Sequence, residues 1–249
     1  MKKESIILLK KLEEYGIDVF TKNDLLLKEF NDKAFRELIK QDYLSMIEKG
    51  KYCRYNFRDE NVIASFIVKN GGVAYWTAMH YHGLTEQIPN TMYVQTTQVK
   101  RNQVIFGVPY NFIRVKKEKL IGFKTIGYGN HQFRITDIEK TIVDCFDLPQ
   151  YGGGYAEILK AFKNANLSAQ KLVKYCKAID NIAVIKRLAY LSELTNKPKM
   201  DYFYKYALSV KNEKFNLFDS GGNKNGHTNS RWNLIMNMDE AEILEISNS

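Results

Sequence analysis

The chain has 249 residues, 45% of them hydrophobic, which is enough to build the core of one large or two smaller domains and excludes global disorder. Its 37 Lys and Arg residues exceed its 28 Asp and Glu residues, a surplus that favours an anionic partner such as nucleic acid, although a lysine-rich solvated surface would explain the same surplus. No run approaches the roughly 18 uninterrupted apolar residues of a membrane span, so no membrane partner is expected.

Cysteine usage and the first residues of the chain favour a cytoplasmic location. The three cysteines, Cys53, Cys145 and Cys176, are odd in number, and their spacing fits neither a disulfide framework nor a zinc site. The apolar run over residues 6–9 is too short for the core of a signal peptide, and two lysines follow it directly. We therefore expect a protein of the reducing cytoplasm.

The N-terminal part of the chain predicts three short helices followed by a hairpin. Apolar residues recur at helical spacing over residues 5–15, and Gly16 ends that pattern as a helix stop. Thr21 and Asp24 have the spacing of a capping box, a hydroxyl followed three residues later by a carboxylate. This signal predicts a second helix over residues 24–30.

The next elements are a third predicted helix and a predicted hairpin. Asn31 opens a second cap signal, which predicts a third helix over residues 33–43. Two short strands follow over residues 44–47 and 52–55, joined by a turn that contains glycine. Three helices and a hairpin make a winged helix-turn-helix, in which the third helix enters the major groove of DNA. We therefore expect a DNA-binding domain over residues 1–58.

Basic side chains lie where such a domain contacts DNA. The three cations of the third helix share one face, and asparagine at its start can pair with an adenine edge, whereas the hairpin cations suit phosphate contacts. Two acids on the same helix, Glu37 and Asp42, dilute this positive charge. An ordinary helical subdomain or a protein-binding winged helix is the alternative. The predicted DNA-binding residues are Lys22, Asn31, Lys33, Arg36, Lys40, Lys49, Lys51 and Arg54.

Residues 59–249 predict a larger mixed α/β domain, sheet-rich over 59–135 and helix-rich over 136–249. Turn residues at 70–72 separate two short helices, over 62–68 and 76–84. An antiparallel sheet is expected from strands over 91–97, 104–108, 112–115, 123–127 and 132–135. Helices are predicted over 139–146, 156–164, 168–179 and 182–195, with a further strand over 232–237. The expected fold class is therefore α+β.

The sequence of this larger domain predicts no metal, cofactor or catalytic site. His80 and His82 are two residues apart on a predicted helix, so they point to different faces and make a poor metal pair. The acids and lysine over residues 137–144 resemble a nuclease mixture but lack its strand-borne spacing, so cap and surface roles are expected. The glycine run 152–154 lacks the lysine of a phosphate loop and predicts a tight turn with positive φ. We expect a protein that is not an enzyme.

A second basic region falls between residues 100 and 124, where Glu118 is the single acid. This region could extend the DNA contact or bind RNA or another acidic partner. Solvated strand edges that lysine protects from aggregation are the alternative. The basic residues are Lys100, Arg101, Arg114, Lys116, Lys117, Lys119 and Lys124.

The middle of the chain carries a long motif over residues 75–89, Tyr-Trp-Thr-Ala-Met-His-Tyr-His-Gly-Leu-Thr-Glu-Gln-Ile-Pro. This motif resembles the signature of the AbiEi family of antitoxins, whose members have an N-terminal winged helix followed by a larger α/β antitoxin domain. The resemblance covers nearly the whole chain. Further segments that fit the same family are residues 135–144, 149–154, 186–191 and 230–234.

The resemblance implies the antitoxin of a type IV toxin–antitoxin system, which acts in abortive infection and antiviral defence. Its winged helix would bind a double-stranded DNA operator with inverted repeats and repress transcription of its own operon. The antitoxin domain would counter a nucleotidyltransferase-like toxin, in many members without a stable complex. A stand-alone transcriptional regulator, a nucleic-acid-processing enzyme with a winged-helix targeting domain, and a protein-interaction adaptor are the alternatives.

Overall fold

The computed structural model describes residues 1–24 and 27–248 and has the predicted α+β class. In this part of the chain the helices are α1 (Lys3–Glu14), α2 (Asp32–Lys40), α3 (Glu60–Phe66), α4 (Tyr75–Tyr81), α5 (Ile138–Asp147), α6 (Tyr155–Asn164), α7 (Ala169–Ile179), α8 (Ile182–Leu194), α9 (Asp201–Val210) and α10 (Glu240–Asn248). The strands are β1 (Val19–Thr21), β2 (Leu44–Glu48), β3 (Lys51–Arg54), β4 (Gly71–Val73), β5 (Met92–Thr96), β6 (Gln103–Ile105), β7 (Val108–Arg114), β8 (Phe123–Ile126), β9 (Phe133–Thr136), β10 (Asn216–Leu217), β11 (His227–Asn229) and β12 (Leu234–Met236).

The N-terminal unit consists of α1, α2 and an antiparallel sheet with the strand order β1-β3-β2. Its core includes the rings of Phe20, Phe35 and Tyr52, whose centroids lie 5.4–6.3 Å apart. Part of the helix predicted over residues 24–30 is wrong, because residues 27–29 form turns; residues 25 and 26 lie outside the described residues. The carboxylate of Asp24 accepts the N–H and hydroxyl of Thr21 at 2.8 and 2.7 Å.

The N-terminal unit packs against the rest of the chain through its hairpin. Ile47 and Cys53 belong to the same apolar cluster as residues of the large sheet, so the hairpin is shared between two cores. The carboxylate of Glu48 also forms an ion pair with Lys100. Apolar packing and an ion pair therefore connect the residues on the two sides of the predicted boundary at residue 58.

The large sheet has six strands in the order β6-β7-β5-β4-β9-β8 and is mixed rather than purely antiparallel. The pairs β4–β9 and β5–β7 are parallel, and the other three are antiparallel. The turn predicted at residues 70–72 is wrong for Gly71 and Gly72, which begin the central strand β4. A Cβ atom at Gly71 would lie 1.8 Å from the carbonyl oxygen of Gln95, and one at Gly72 would lie 2.2 Å from the carbonyl oxygen of Arg134. Glycine thus allows the neighbouring strands to approach.

The helix-rich part surrounds α5, which contacts α4, α6, α7 and α8. Asp137 caps α5 by accepting the N–H of Lys140 at 3.0 Å, so the helix begins at Ile138, one residue earlier than predicted. Helix α9 and the small sheet β10-β12-β11 follow, and the sequence patterns predicted only the β12 strand of these elements. No helix in the described ranges is long and apolar enough to cross a membrane.

Candidate nucleic-acid interface

Helix α2 carries the predicted reading face, and its cap and apolar side fix its orientation. Asn31 begins the helix, since its Oδ1 accepts the N–H groups of Lys33 and Ala34 at 2.9 and 3.1 Å. Ala34, Phe35 and Leu38 are buried in the core of the N-terminal unit. The opposite side of the helix is therefore left to solvent.

Lys33, Arg36 and Lys40 are exposed on that solvent side, and they share one face as their spacing predicted. Within the described residues none of the three forms an ion pair, although Arg36 Nε donates to the carbonyl oxygen of Asp32 at 3.3 Å. The three side chains line a shallow depression of about 430 Å³, which is completed by Lys2, Glu37 and Gln41. Among the described residues, this arrangement therefore leaves three neighbouring cations without an ion-pair partner.

Two other predicted DNA contacts are used inside the N-terminal unit. Asn31 Nδ2 donates to Glu4 Oε2 at 2.6 Å while its Oδ1 caps α2, so pairing with an adenine would break both contacts. Lys22 forms an ion pair with Asp32, and this contact lowers the pKa of the Asp32 carboxyl. The contacts of Asn31 and Lys22 therefore support a role in holding the start of α2 rather than base or phosphate contacts.

The three hairpin cations differ in their surroundings. Lys49 is exposed in the turn between β2 and β3. Lys51 Nζ donates to the carbonyl oxygen of Ile67 at 2.8 Å, so it faces the rest of the chain. The guanidinium of Arg54 lies 3.6 Å from the carboxylate of Glu13, which ties β3 to α1. Of these three, Lys49 has the position and exposure that a phosphate contact needs.

The second basic region does not form one surface. Lys100 and Arg101 precede β6, at the sheet edge that meets the hairpin, where Lys100 pairs with Glu48 and lies 5.0 Å from the ring centroid of Phe112. Arg101 is exposed beside this contact. It therefore adds an exposed positive charge next in the chain to the lysine that pairs with the hairpin.

The remaining cations of the region lie elsewhere on the molecule. Lys124 is exposed on β8, at the opposite edge of the sheet from β6. Arg114, Lys116 and Lys119 line a groove of about 690 Å³, and Lys117 is exposed in the same loop. The groove is also lined by Glu118, Asp147 and Asp180, and Lys119 is paired with Asp147 at 2.7 Å. Charge of both signs faces this groove, so the sequence cluster is not a continuous positive patch.

The nuclease-like mixture after residue 136 is structural. The predicted cap role holds for Asp137, but the surface role is wrong for Lys140 and Asp144, which form a fully buried ion pair. The amide Nε2 of Gln95 donates to Asp144 at 3.1 Å and to the hydroxyl of Tyr75 at 3.0 Å. Burial raises the pKa of Asp144, and the neighbouring Lys140 opposes that rise. These groups connect α5 to β5 and α4 inside the core.

The motif over residues 75–89 contacts other segments that carry the family resemblance. His82 Nε2 lies 2.7 Å from the carbonyl oxygen of Thr136. Gly153 has the positive φ predicted for the glycine run, +79°, and a Cβ atom there would lie 2.6 Å from the ring of Trp76. The described residues contain no group of three or more His, Cys, Asp or Glu side chains that could hold a metal ion. The motif thus packs helix α4 against neighbouring segments.

No protein-family model matches the chain, and no curated protein sequence matches it. Among solved structures, the chain is similar to the crystal structure of the RV2827C protein from Mycobacterium tuberculosis, with a TM-score of 0.68 and 14% sequence identity. The similarity covers 100% of this chain and 96% of that chain. It shows a common fold over the length of this chain.

Proposed function

We propose that this chain is a transcriptional regulator that binds double-stranded DNA through the exposed face of α2. The observation that carries this proposal is the group of three exposed cations, Lys33, Arg36 and Lys40, that form no ion pair among the described residues and lie on one side of a helix whose other side is buried. Exposed ammonium and guanidinium groups without counter-ions are suited to phosphate oxygens.

The elements around α2 support the same proposal. A helix and a strand precede α2 and a hairpin follows it, an order compatible with a winged helix that presents α2 to the major groove. Lys49 in the hairpin turn and Arg101 beside the hairpin are exposed and would contact phosphates flanking the groove.

The finer proposal concerns the operon in which the regulator acts. The resemblance of residues 75–89 to the AbiEi signature supports a cytoplasmic type IV antitoxin that represses its own operon at inverted repeats. In that role the part of the chain behind the N-terminal unit counters a nucleotidyltransferase-like toxin. A stand-alone regulator would bind DNA through the same face, and a neighbouring toxin gene that arrests growth unless this chain is co-expressed would separate the two.

A DNA-binding titration tests the shared part of the proposal. The full chain is titrated by fluorescence anisotropy against its own upstream DNA and against a scrambled duplex, over a range of salt concentrations. Neutralising Arg36 and Lys40 together should lower the salt slope by about 1.8 and the affinity at about 0.1 M salt by roughly 60-fold, because each phosphate contact contributes about 0.9 to the slope.

The matched control is the double variant Lys205→Ala with Lys224→Ala, which removes the same charge from exposed positions in α9 and in the loop before β11. This control should change the slope little. Absence of binding to either duplex by the unmodified chain would contradict the proposed function. Equal losses in the two double variants would contradict the assignment of α2 as the contact.

A further inference from the structure

The first turn of α1 is fastened to α2 by two carboxylates. Glu4 accepts the backbone N–H and the side-chain Nδ2 of Asn31 at 2.9 and 2.6 Å. Glu37, on α2, accepts the backbone N–H of Lys2 at 2.9 Å and the hydroxyl of Ser5 at 2.6 Å. Ser5 is completely buried, so this bond lies inside the packing between the two helices.

These bonds place Lys2 beside the cations of α2. Lys2 is exposed and lines the same depression as Lys33, Arg36 and Lys40. Glu37 is the acid in that lining, and its two oxygens are occupied by the start of α1. The hydrogen bond from Ser5 also holds the pKa of Glu37 below its ordinary value. Four cations thus face a depression whose single carboxylate is already hydrogen-bonded.

We propose that the start of α1 belongs to the DNA-binding surface, with the preceding residue Lys2 as a phosphate contact and Glu37 as the residue that positions it. The inference rests on the proposed function and adds a second element to the interface. Glu37 acts through the backbone of Lys2 and the hydroxyl of Ser5, not through DNA. Glu37 offsets part of the positive charge of α2, but in this arrangement it also holds a fourth cation beside the other three.

The test uses the full chain with any purification tag at the C-terminus and the same upstream duplex. Lys2→Ala should lower the salt slope by about 0.9 and the affinity at about 0.1 M salt by roughly eightfold, the effect of one phosphate contact. Lys10→Ala is the matched control, because Lys10 is exposed on the same helix but lies outside the depression. It should leave the slope unchanged.

Variants of Glu37 test positioning through a double-mutant cycle. Glu37→Ala should weaken binding about as much as Lys2→Ala, and it should have no further effect in the Lys2→Ala background. Glu37→Gln can still accept the N–H of Lys2 through its amide oxygen and donate from its amide nitrogen to the hydroxyl of Ser5, so it should retain binding. Thermal unfolding checks that Glu37→Ala is folded. If it is not, Ser5→Ala is the second variant, because it removes the hydrogen bond between Ser5 and Glu37 with a small change of volume.

The outcomes separate this inference from the function on which it rests. If the unmodified chain binds the duplex but Lys2→Ala has the slope of Lys10→Ala, the inference is wrong and the proposed function stands. If Glu37→Ala tightens binding, Glu37 acts only by repelling DNA, which overturns its positioning role. If the unmodified chain binds no duplex, the function and the inference fail together.

Discussion

The buried ion pair between Lys140 and Asp144 allows the sharpest prediction about stability. Both side chains are at most 1% exposed, and without the ammonium group Asp144 keeps only the amide of Gln95, at 3.1 Å, as a donor among its described contacts. Lys140→Met therefore leaves a buried carboxylate without its counter-ion. Breaking a pair of this kind lowers the free energy of unfolding by about 3–5 kcal/mol. The double variant with Asp144→Leu should recover much of the loss, because neither charge is then desolvated.

Urea unfolding followed by circular dichroism, at about pH 5 and about pH 8, measures this effect. Burial raises the folded-state pKa of Asp144 above its unfolded value, and removing Lys140 removes the charge that opposes the rise. A group with a raised folded-state pKa contributes stability at low pH and loses it as pH rises through that pKa. The deficit of Lys140→Met should therefore be larger at the higher pH. A deficit below about 1 kcal/mol, or one that is independent of pH, would refute a charged pair in the core.

Three further predictions follow from individual contacts. Lys49→Ala should reduce DNA affinity by the effect of one phosphate contact and leave the urea midpoint unchanged. Lys51→Ala should instead lower the urea midpoint, because the ammonium group of Lys51 donates a hydrogen bond to the carbonyl oxygen of Ile67. If Lys51→Ala weakened DNA binding and Lys49→Ala lowered the midpoint, both assignments would be wrong. Gly153→Ala should lower the unfolding free energy by more than ~1 kcal/mol, because φ is +79° and the new methyl group meets the ring of Trp76, and an unchanged midpoint would exclude this packing. Burial lowers the pKa of Lys197 to about 8, so the folded chain disfavours the charged form of this side chain. The free energy of unfolding of the unmodified chain, relative to that of Lys197→Met, should therefore rise as pH increases from about 8 towards the unfolded-state pKa of about 10.4. A difference in unfolding free energy that stays constant across that interval would contradict this assignment.

The elements that the sequence predicted well depend on neighbours in the chain. The asparagine at residue 31 and the aspartate at residue 137 cap the helices that follow them, because a short polar side chain reaches N–H groups two or three residues ahead in any fold. The positive φ of Gly153 was predicted from glycine itself. The face shared by Lys33 and Arg36 follows from helical periodicity alone.

The elements that were missed depend on residues far away in the chain. Gly71 and Gly72 carry a turn signal locally, but the strands on either side need the absence of a Cβ there, and that requirement comes from residues at 95 and 134. Strand direction was missed for a related reason, since pairing β4 with β9 in parallel requires a long connection whose path no local pattern records.

The candidate interface shows the same division. The sequence by itself determined which side chains are cationic and which of them share a helix face, because charge and periodicity are properties of the chain. Only the tertiary structure decided which cations are free. Lys51 donates a hydrogen bond to Ile67 and Lys100 forms an ion pair with Glu48, both where the hairpin meets the rest of the chain. The uncharged Asn31 is likewise hydrogen-bonded to Glu4. An ion pair or hydrogen bond forms between groups brought together by folding, so what packs beside a lysine decides whether it stays exposed or supports the fold.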